Sequence, residues 1–466
     1  MLHGRFFRRI VELKSQYDST PSLPFSEALT ESRIDEVLKK LGIVYRERIY
    51  SPGVTLWVFL SQVLSPDQSC QNAVARLLAF RTAKGLPPCS TETGSYCTAR
   101  QRLPEGLVSH LVRQTGQELH RSAPAAWLAN GRPVKLIDGT TVSMPDTPEN
   151  VAAFGKAKNQ HGSGGFPIAR LVVVLCLATG AALEVALGRY RGKASGELSL
   201  FRSVDEVFTA GDIALGDRLY CTYYDLARLK QRGVDGVFRL HAHRRADFRR
   251  GRRLGKEDHL VTWTKPLRRP DWLSETEYAA LPAELRVREV RVRVDIPGFR
   301  AKSLVVVTTL TDPAAFSKDD LATLFRQRWH AELDLRSIKD VLQMDVLRCK
   351  TPDMVRKEVW VHLLAYNLLR SVMCAAAEEG ELLVRQLSFK GTLQLLNAFY
   401  QLLITSRPEQ LETLCSTMLN ALRPQRVGNR PNRYEPRKRK RAAKPYPMMK
   451  RSRTEERRRC CSSRPS

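Results

Sequence analysis

Near residue 128 the spacing of apolar residues switches from intervals of three and four to short runs bounded by glycine. Upstream, from Ser26 to about Trp127, RIDEVLKKLGIV and VTLWVFLSQVL carry the helical interval, with Pro or Gly at the breaks, which predicts a small helical domain. Downstream, VKLID (134–138), ARLVVVLCLATG (169–180), AALEVALGRYRG (181–192) and GDIALGD (211–217) read as strands. SGELSLFRSVDEVF and TYYDLARLKQRG read as helices between and after them. Strands and helices on a mixed sheet imply an α/β or α+β fold and exclude a bundle.

The rest of the chain extends this plan. After a strand at GVFRLHAH, the charged stretch Arg244–Arg300 holds Trp263, Trp272 and the alternating REVRVRVDI. It is too long for a loop and is expected to be an inserted β-rich subdomain. SLVVVTTL leads into a long helix expected from about Lys318 to Leu342, with Ser317 as its N-cap, and more helices follow to about Leu422. The expected divisions are therefore 1–127, 128–350 with the insertion at about 244–300, 351–422, and a tail at 423–466. That tail holds 17 Lys and Arg against 3 acids, with six Pro, and is expected to be disordered unless a polyanion binds it.

With 76 Lys and Arg against 48 Asp and Glu, the net charge is +28, which calls for a polyanionic partner. Nucleic acid is the first candidate and an anionic membrane the second. The longest apolar run, Ala169 to Val185, is broken by Arg170, Thr179, Gly180 and Glu184, which suits two strands and a turn better than a membrane span. The start, MLHGRFFRRIVELKSQYDS, lacks an apolar core with a cleavage site, so no signal peptide is read and a cytoplasmic protein is expected. Ten cysteines without a CxxC pair fit reduced, mostly buried thiols better than a zinc or disulfide framework.

Asp138 ends an apolar strand and is followed at once by GTT, so its carboxylate is expected to emerge at the strand end, and Asp217 repeats the arrangement in ALGDRLY. Each alone could be a turn residue. Together they can set two carboxylates at one end of a sheet, where a divalent cation finds oxygen ligands. On the following helix, taking about 100° per residue, Phe325, Arg328, Glu332, Arg336 and Lys339 share one face. A salt-bridged solvent face is the alternative, since Arg328 and Arg336 flank Glu332 at four residues on either side. A third carboxylate beside two aspartates favours a two-metal site, with cations suited to gripping phosphates. His161, His241, His243, His259 and His330 show no third ligand at metal spacing, so DNA contact or surface is their expected role.

The spacing aromatic-x2-Arg-x3-Glu-x6-Lys at Phe325, Arg328, Glu332 and Lys339 resembles the YREK signature of the insertion-sequence-4 family of bacterial DDE transposases. IDGTTVSMPDTPEN around Asp138 and LGDRLYCTYYDL around Asp217 resemble that family's two Asp boxes. The likeness runs from about Pro133 to Lys350, with weaker likeness in the helical start and in PNRYEPRKRKRAAKPYP. One departure is Phe325 where the signature has Tyr, which removes a hydroxyl that could donate to a phosphate.

The resemblance implies an RNase H-like catalytic core in which Asp138, Asp217 and Glu332 hold two Mg²⁺ ions, with Mn²⁺ able to substitute. It implies that Phe325, Arg328 and Lys339 bind DNA phosphate at the end of a mobile element, with Trp263 and Trp272 as candidates to stack on a flipped base. The implied partners are terminal inverted repeats, read by the helical N-terminal domain, and target DNA, with a homodimer on paired ends and no membrane. The other readings are a nuclease of the same fold that cuts without joining, and a non-catalytic nucleic-acid binder that leaves the three carboxylate boxes unexplained.

Overall fold

The computed structural model describes residues 29–45, 48–159, 162–192, 194–293, 303–428, 451 and 453–462. These residues divide into two compact units, one drawn from Met1–Ser122 with Arg336–Val427 and the other from Ala123–Leu335 with Gly428–Ser466.

The first unit opens with α1 (Glu31–Lys40), α2 (Pro52–Leu64), α3 (Cys70–Ala83), α4 (Gly94–Arg102) and α5 (Glu105–Arg121). Ser51 caps α2 by accepting from the Val54 N–H, and Pro52 supplies a preset φ in the first turn. Trp57, Val58, Val74, Leu77, Phe80 and Tyr96 form a core cluster that also takes in Tyr400. Arg100, part of the basic stretch TARQRLP, turns inward, stacking on Phe59 and Tyr96 at 4.8 and 5.0 Å from the ring centres. It therefore packs the core of this unit.

The second unit carries β1 (Val134–Ser143), α6 (Pro148–Phe154), β2 (Lys156–Asn159), β3 (Gly162–Cys176), β4 (Ala182–Arg189), α7 (Glu197–Arg202), β5 (Ile213–Gly216), α8 (Tyr223–Gln231) and β6 (Asp235–Arg239). It continues through β7 (Arg252–Gly255), β8 (Asp258–Thr264), α9 (Glu275–Ala280), β9 (Glu284–Arg293), β10 (Ser303–Thr308), α10 (Lys318–Gln327) and α11 (Trp329–Arg336). The strands make one mixed sheet in the order β2-β3-β1-β5-β6-β10-β9-β8-β7, with β4 also on β3. β1, β5 and β6 are parallel, and the other pairings are antiparallel. The fold is thus α/β with a large mixed sheet.

Three elements differ from the sequence expectation. Strands of the 244–300 stretch do not close a sheet of their own: β9 pairs with β10, so β7, β8 and β9 prolong the central sheet. A strand with a free edge gains its backbone hydrogen bonds by pairing, and β10 offers that edge. The helix expected from Lys318 to Leu342 stops at Gln327, turns at Arg328, resumes as α11 and ends in a wider π turn at Ser337–Val341. Finally, α12 (Pro352–Glu379), α13 (Phe389–Thr405) and α14 (Pro408–Leu422) do not stand apart but belong to the helical unit.

By length and hydropathy α12 is apolar enough to cross a membrane, yet 83% of its most apolar window is buried inside the protein. Such a mostly buried helix is a core helix of its unit. Within the tail, α15 (Arg453–Ser462) is helical where disorder was expected, while 429–450, 452 and 463–466 lie outside the described residues.

Candidate active site

Asp138 is not at the end of its strand. It is the fifth of ten residues in β1, which runs on to Ser143 because β3 continues to pair with it. What stops near Asp138 is the neighbour on the other side. β1 and β5 are paired in parallel from Val134↔Ile213 to Leu136↔Leu215, and β5 ends at Gly216. Carrying that register forward two residues sets Asp217 level with Asp138, about one strand spacing of roughly 4.8 Å away. Both carboxylates therefore stand where β1 loses a partner and its edge opens.

The Asp138 carboxylate accepts a hydrogen bond from the Gly139 N–H at 2.9 Å. Burial pushes its pKa up to about 6; the Gly139 N–H and the Arg328 charge pull it down, and the charges of Glu332 and Glu197 push it further up. Thus Glu332, contributed by α11, and Glu197, at the start of α7, both face Asp138 closely enough to repel it.

Past Asp217 the chain makes a 3₁₀ turn, Arg218–Tyr220, that brings the Tyr220 ring back against the sheet. Tyr220 is 1% exposed, and its hydroxyl has no hydrogen-bond partner among the described residues. Burial raises its pKa well above the usual phenol range, and the charges of Glu197, Asp138 and Asp217 add to the rise. One buried hydroxyl therefore lies within the field of three carboxylates.

On the helices, Phe325 is buried, which suits packing rather than phosphate contact. Arg328 donates through Nη2 to Glu332 Oε1 at 2.9 Å, so the Glu332 carboxylate is held from the turn that precedes its helix. Arg336 is exposed and pairs with Asp340. Lys339 lies in the π turn, on the helical-unit side of the division at Leu335 and Arg336, and a 100° count no longer applies across that turn.

The remaining candidates separate by burial. Trp263 is buried, donates from Nε1 to Glu289 at 3.1 Å and carries Arg244 over its ring, a packed arrangement. Trp272 is 37% exposed, with Arg202 stacked 3.6 Å from its ring centre. His259, expected at the surface, is instead 1% exposed, with its ring nitrogens 2.7 Å from the Arg250 carbonyl and 3.1 Å from Glu289 and its ring 4.7 Å from that of Phe248. His241 and His243 stack at 5.1 Å, and His161 lies outside the described residues.

Residues 129–368, which include all three carboxylates picked from the sequence, match the family described as "Transposase DDE domain". The chain belongs to the DDE transposase family. A DDE transposase cuts DNA and transfers strands. Transposase InsG for insertion sequence element IS4, of Escherichia coli (strain K12), is 29% identical over 381 residues, 79% of this chain and 80% of that one. This similarity supports the insertion-sequence-4 branch of the family. The transposase for insertion sequence element IS421 of Escherichia coli is 28% identical over 80 residues, 17% of this chain and 22% of that one. Among solved structures, a cryo-EM structure of the piggyBac transposase synaptic complex with hairpin DNA aligns over 89% of this chain and 87% of that chain, at 10% identity and a TM-score of 0.42.

DDE transposases use divalent cations, and this transposase meets that requirement in charge more fully than in geometry. Among the described residues, no three His, Cys, Asp or Glu side chains converge into a finished metal cage. Glu332 is drawn to Arg328. Asp138, its pKa raised mainly by burial, and the buried Tyr220 hydroxyl nevertheless lie where a cation would favour the charged carboxylate. Sequence reasoning missed Glu197 and Tyr220. Glu197 sits in no motif and Tyr220 lies unmarked inside the Asp217 box, and the packing of α7 and of the 218–220 turn brings them near Asp138.

Proposed function

We propose that this transposase has an RNase H-like core in which Asp138, Asp217 and Glu332 hold divalent cations, Mg²⁺ with Mn²⁺ able to substitute. In this reading it cleaves at the terminal inverted repeats of a bacterial insertion sequence and joins the element's 3′ ends to target DNA, as a homodimer on paired ends. The observation that carries it is the level placement of Asp138 and Asp217 at the open edge of β1, with the Glu332 charge pressing on Asp138.

Bound cations would supply Lewis-acid stabilisation of the attacking and leaving oxygens of an in-line displacement. The chain's own residues set the stage. Asp138 and Asp217 would hold the cations at a fixed place on the sheet. Arg328 is a bidentate-capable donor that can pass from Glu332 to a DNA phosphate, and that exchange frees the Glu332 carboxylate to turn toward Asp138. Lys339 is a further phosphate contact. The N-terminal helices read the repeats, and the basic tail at 423–466 adds sequence-independent affinity through counterion release.

The test is cleavage and joining of end-containing DNA by the full-length chain and by Asp138→Ala, Asp217→Ala and Glu332→Ala. Each variant should lose on the order of 10⁴-fold in cleavage while still binding end DNA. Retained cleavage in any two of them would overturn the assignment. Cleavage without joining by the unaltered chain would point instead to a nuclease.

A further inference from the structure

α7 lies so close to the sheet that two of the strand residues beneath it are glycines. A Cβ on Gly188 of β4 would lie 2.7 Å from Leu200 Cδ2. A Cβ on Gly139 of β1 would lie 2.5 Å from Glu197 Cδ and 2.8 Å from Glu197 Oε1. The Glu197 carboxyl thus occupies the space that any side chain at 139 would need. It is seated on the backbone of the residue next to Asp138.

Pleating sends the side chains of 138 and 139 to opposite faces of a strand, so Glu197 and Asp138 approach β1 from opposite sides. They can still share one site because parallel pairing with β5 ends at Leu136↔Leu215, leaving the edge of β1 open at that level. Tyr220 is the independent witness. Its ring packs edge-on against Phe201, one turn beyond Glu197 on α7, at 5.3 Å between centres. Gly216 makes room for it, since a Cβ there would lie 2.9 Å from Tyr220 Cδ2. Its hydroxyl is buried and unpartnered, within the field of Glu197, Asp138 and Asp217 together. A buried hydroxyl without a partner is costly unless something it can bond occupies the space before it.

We propose that Glu197 is a fourth carboxylate of the cation site, and that Tyr220 is a positioning residue whose hydroxyl donates to these carboxylates or to a cation-bound water. The proposal rests on the reading that Asp138 and Asp217 hold a divalent cation. It also gives Gly139 a function, because any larger residue would displace Glu197.

The test is Mn²⁺ binding to the full-length chain, followed by water-proton relaxation, for the unaltered protein and for Glu197→Gln, Glu197→Asp, Tyr220→Phe and Asp138→Asn, each checked for folding by thermal melting. Glu197→Gln should weaken Mn²⁺ binding by about 10-fold or more. Glu197→Asp, which keeps the charge, should lie between it and the unaltered protein, and Tyr220→Phe should show a smaller loss. In DNA cleavage, Glu197→Gln should need more Mg²⁺ to reach half-maximal rate. Unchanged Mn²⁺ affinity in both Glu197 variants, with affinity lost in Asp138→Asn, overturns this proposal and leaves the three-carboxylate reading standing. Unchanged affinity in Asp138→Asn overturns that reading instead, whatever Glu197 does.

Discussion

At the start of β1, Lys135 Nζ lies 2.6 Å from Asp212 Oδ2, with both side chains almost wholly buried, and it also donates to the Val207 carbonyl. Asp212 accepts further bonds from Thr209, while Arg132 and Lys230 both pair with Asp235 beside it. Three residues further along β1, Asp138 accepts a hydrogen bond from its neighbour's N–H, and burial, with the charges of Glu332 and Glu197, lifts its pKa to about 6 against the pull of Arg328. The far side of the sheet behaves like the start of β1. Arg288, 1% exposed, pairs through two nitrogens with Asp258 and through a third with the Phe316 carbonyl. Buried charges that serve the fold come with their counter-charges, whereas those at the open edge of β1 are left for something that arrives later.

The contrast can be broken most forcefully at Lys135. Lys135→Met leaves Asp212 buried without its cation and should cost about 3–5 kcal/mol, read as a lower urea midpoint at neutral pH. A loss under about 1 kcal/mol would mean that the paired end is no more structural than the open one.

Asp138→Asn should do the reverse. A carboxyl whose folded pKa of about 6 lies above its ordinary value of 3.8 binds an extra proton in the folded state between those pH values, so stability falls as pH rises through that window. Removing the charge should therefore stabilise the metal-free protein by about 3 kcal/mol at pH 8, with the gain fading toward pH 4. Equal effects at both pH values would refute the idea of an uncompensated charge.

The smallest effect on stability is expected at Arg328, whose pair with Glu332 is partly exposed. Arg328→Ala should change stability by less than about 1 kcal/mol. It should nonetheless weaken assembly on paired ends more than binding to random DNA, measured by gel shift. Equal losses on both DNAs would make Arg328 an ordinary phosphate contact.

The sequence by itself determined what depends on local periodicity. Alternating and continuous apolar runs gave the strands carrying Asp138 and Asp217, and the three-and-four interval gave the helices and the stripe from Phe325 to Glu332. Even there, Asp138 was read as a strand end because the sequence shows where apolar residues stop but not where a pairing neighbour does. Only the tertiary structure decided that the 244–300 strands would extend the central sheet, that α12–α14 would join the N-terminal helices, and that His259 would be buried. It alone brought Glu197 onto Gly139 and Tyr220 under three carboxylates. Those contacts join residues far apart in the chain, and strand order and helix seating set them. A sequence window sees neither, because backbone periodicity fixes which way a side chain faces but not what it will meet.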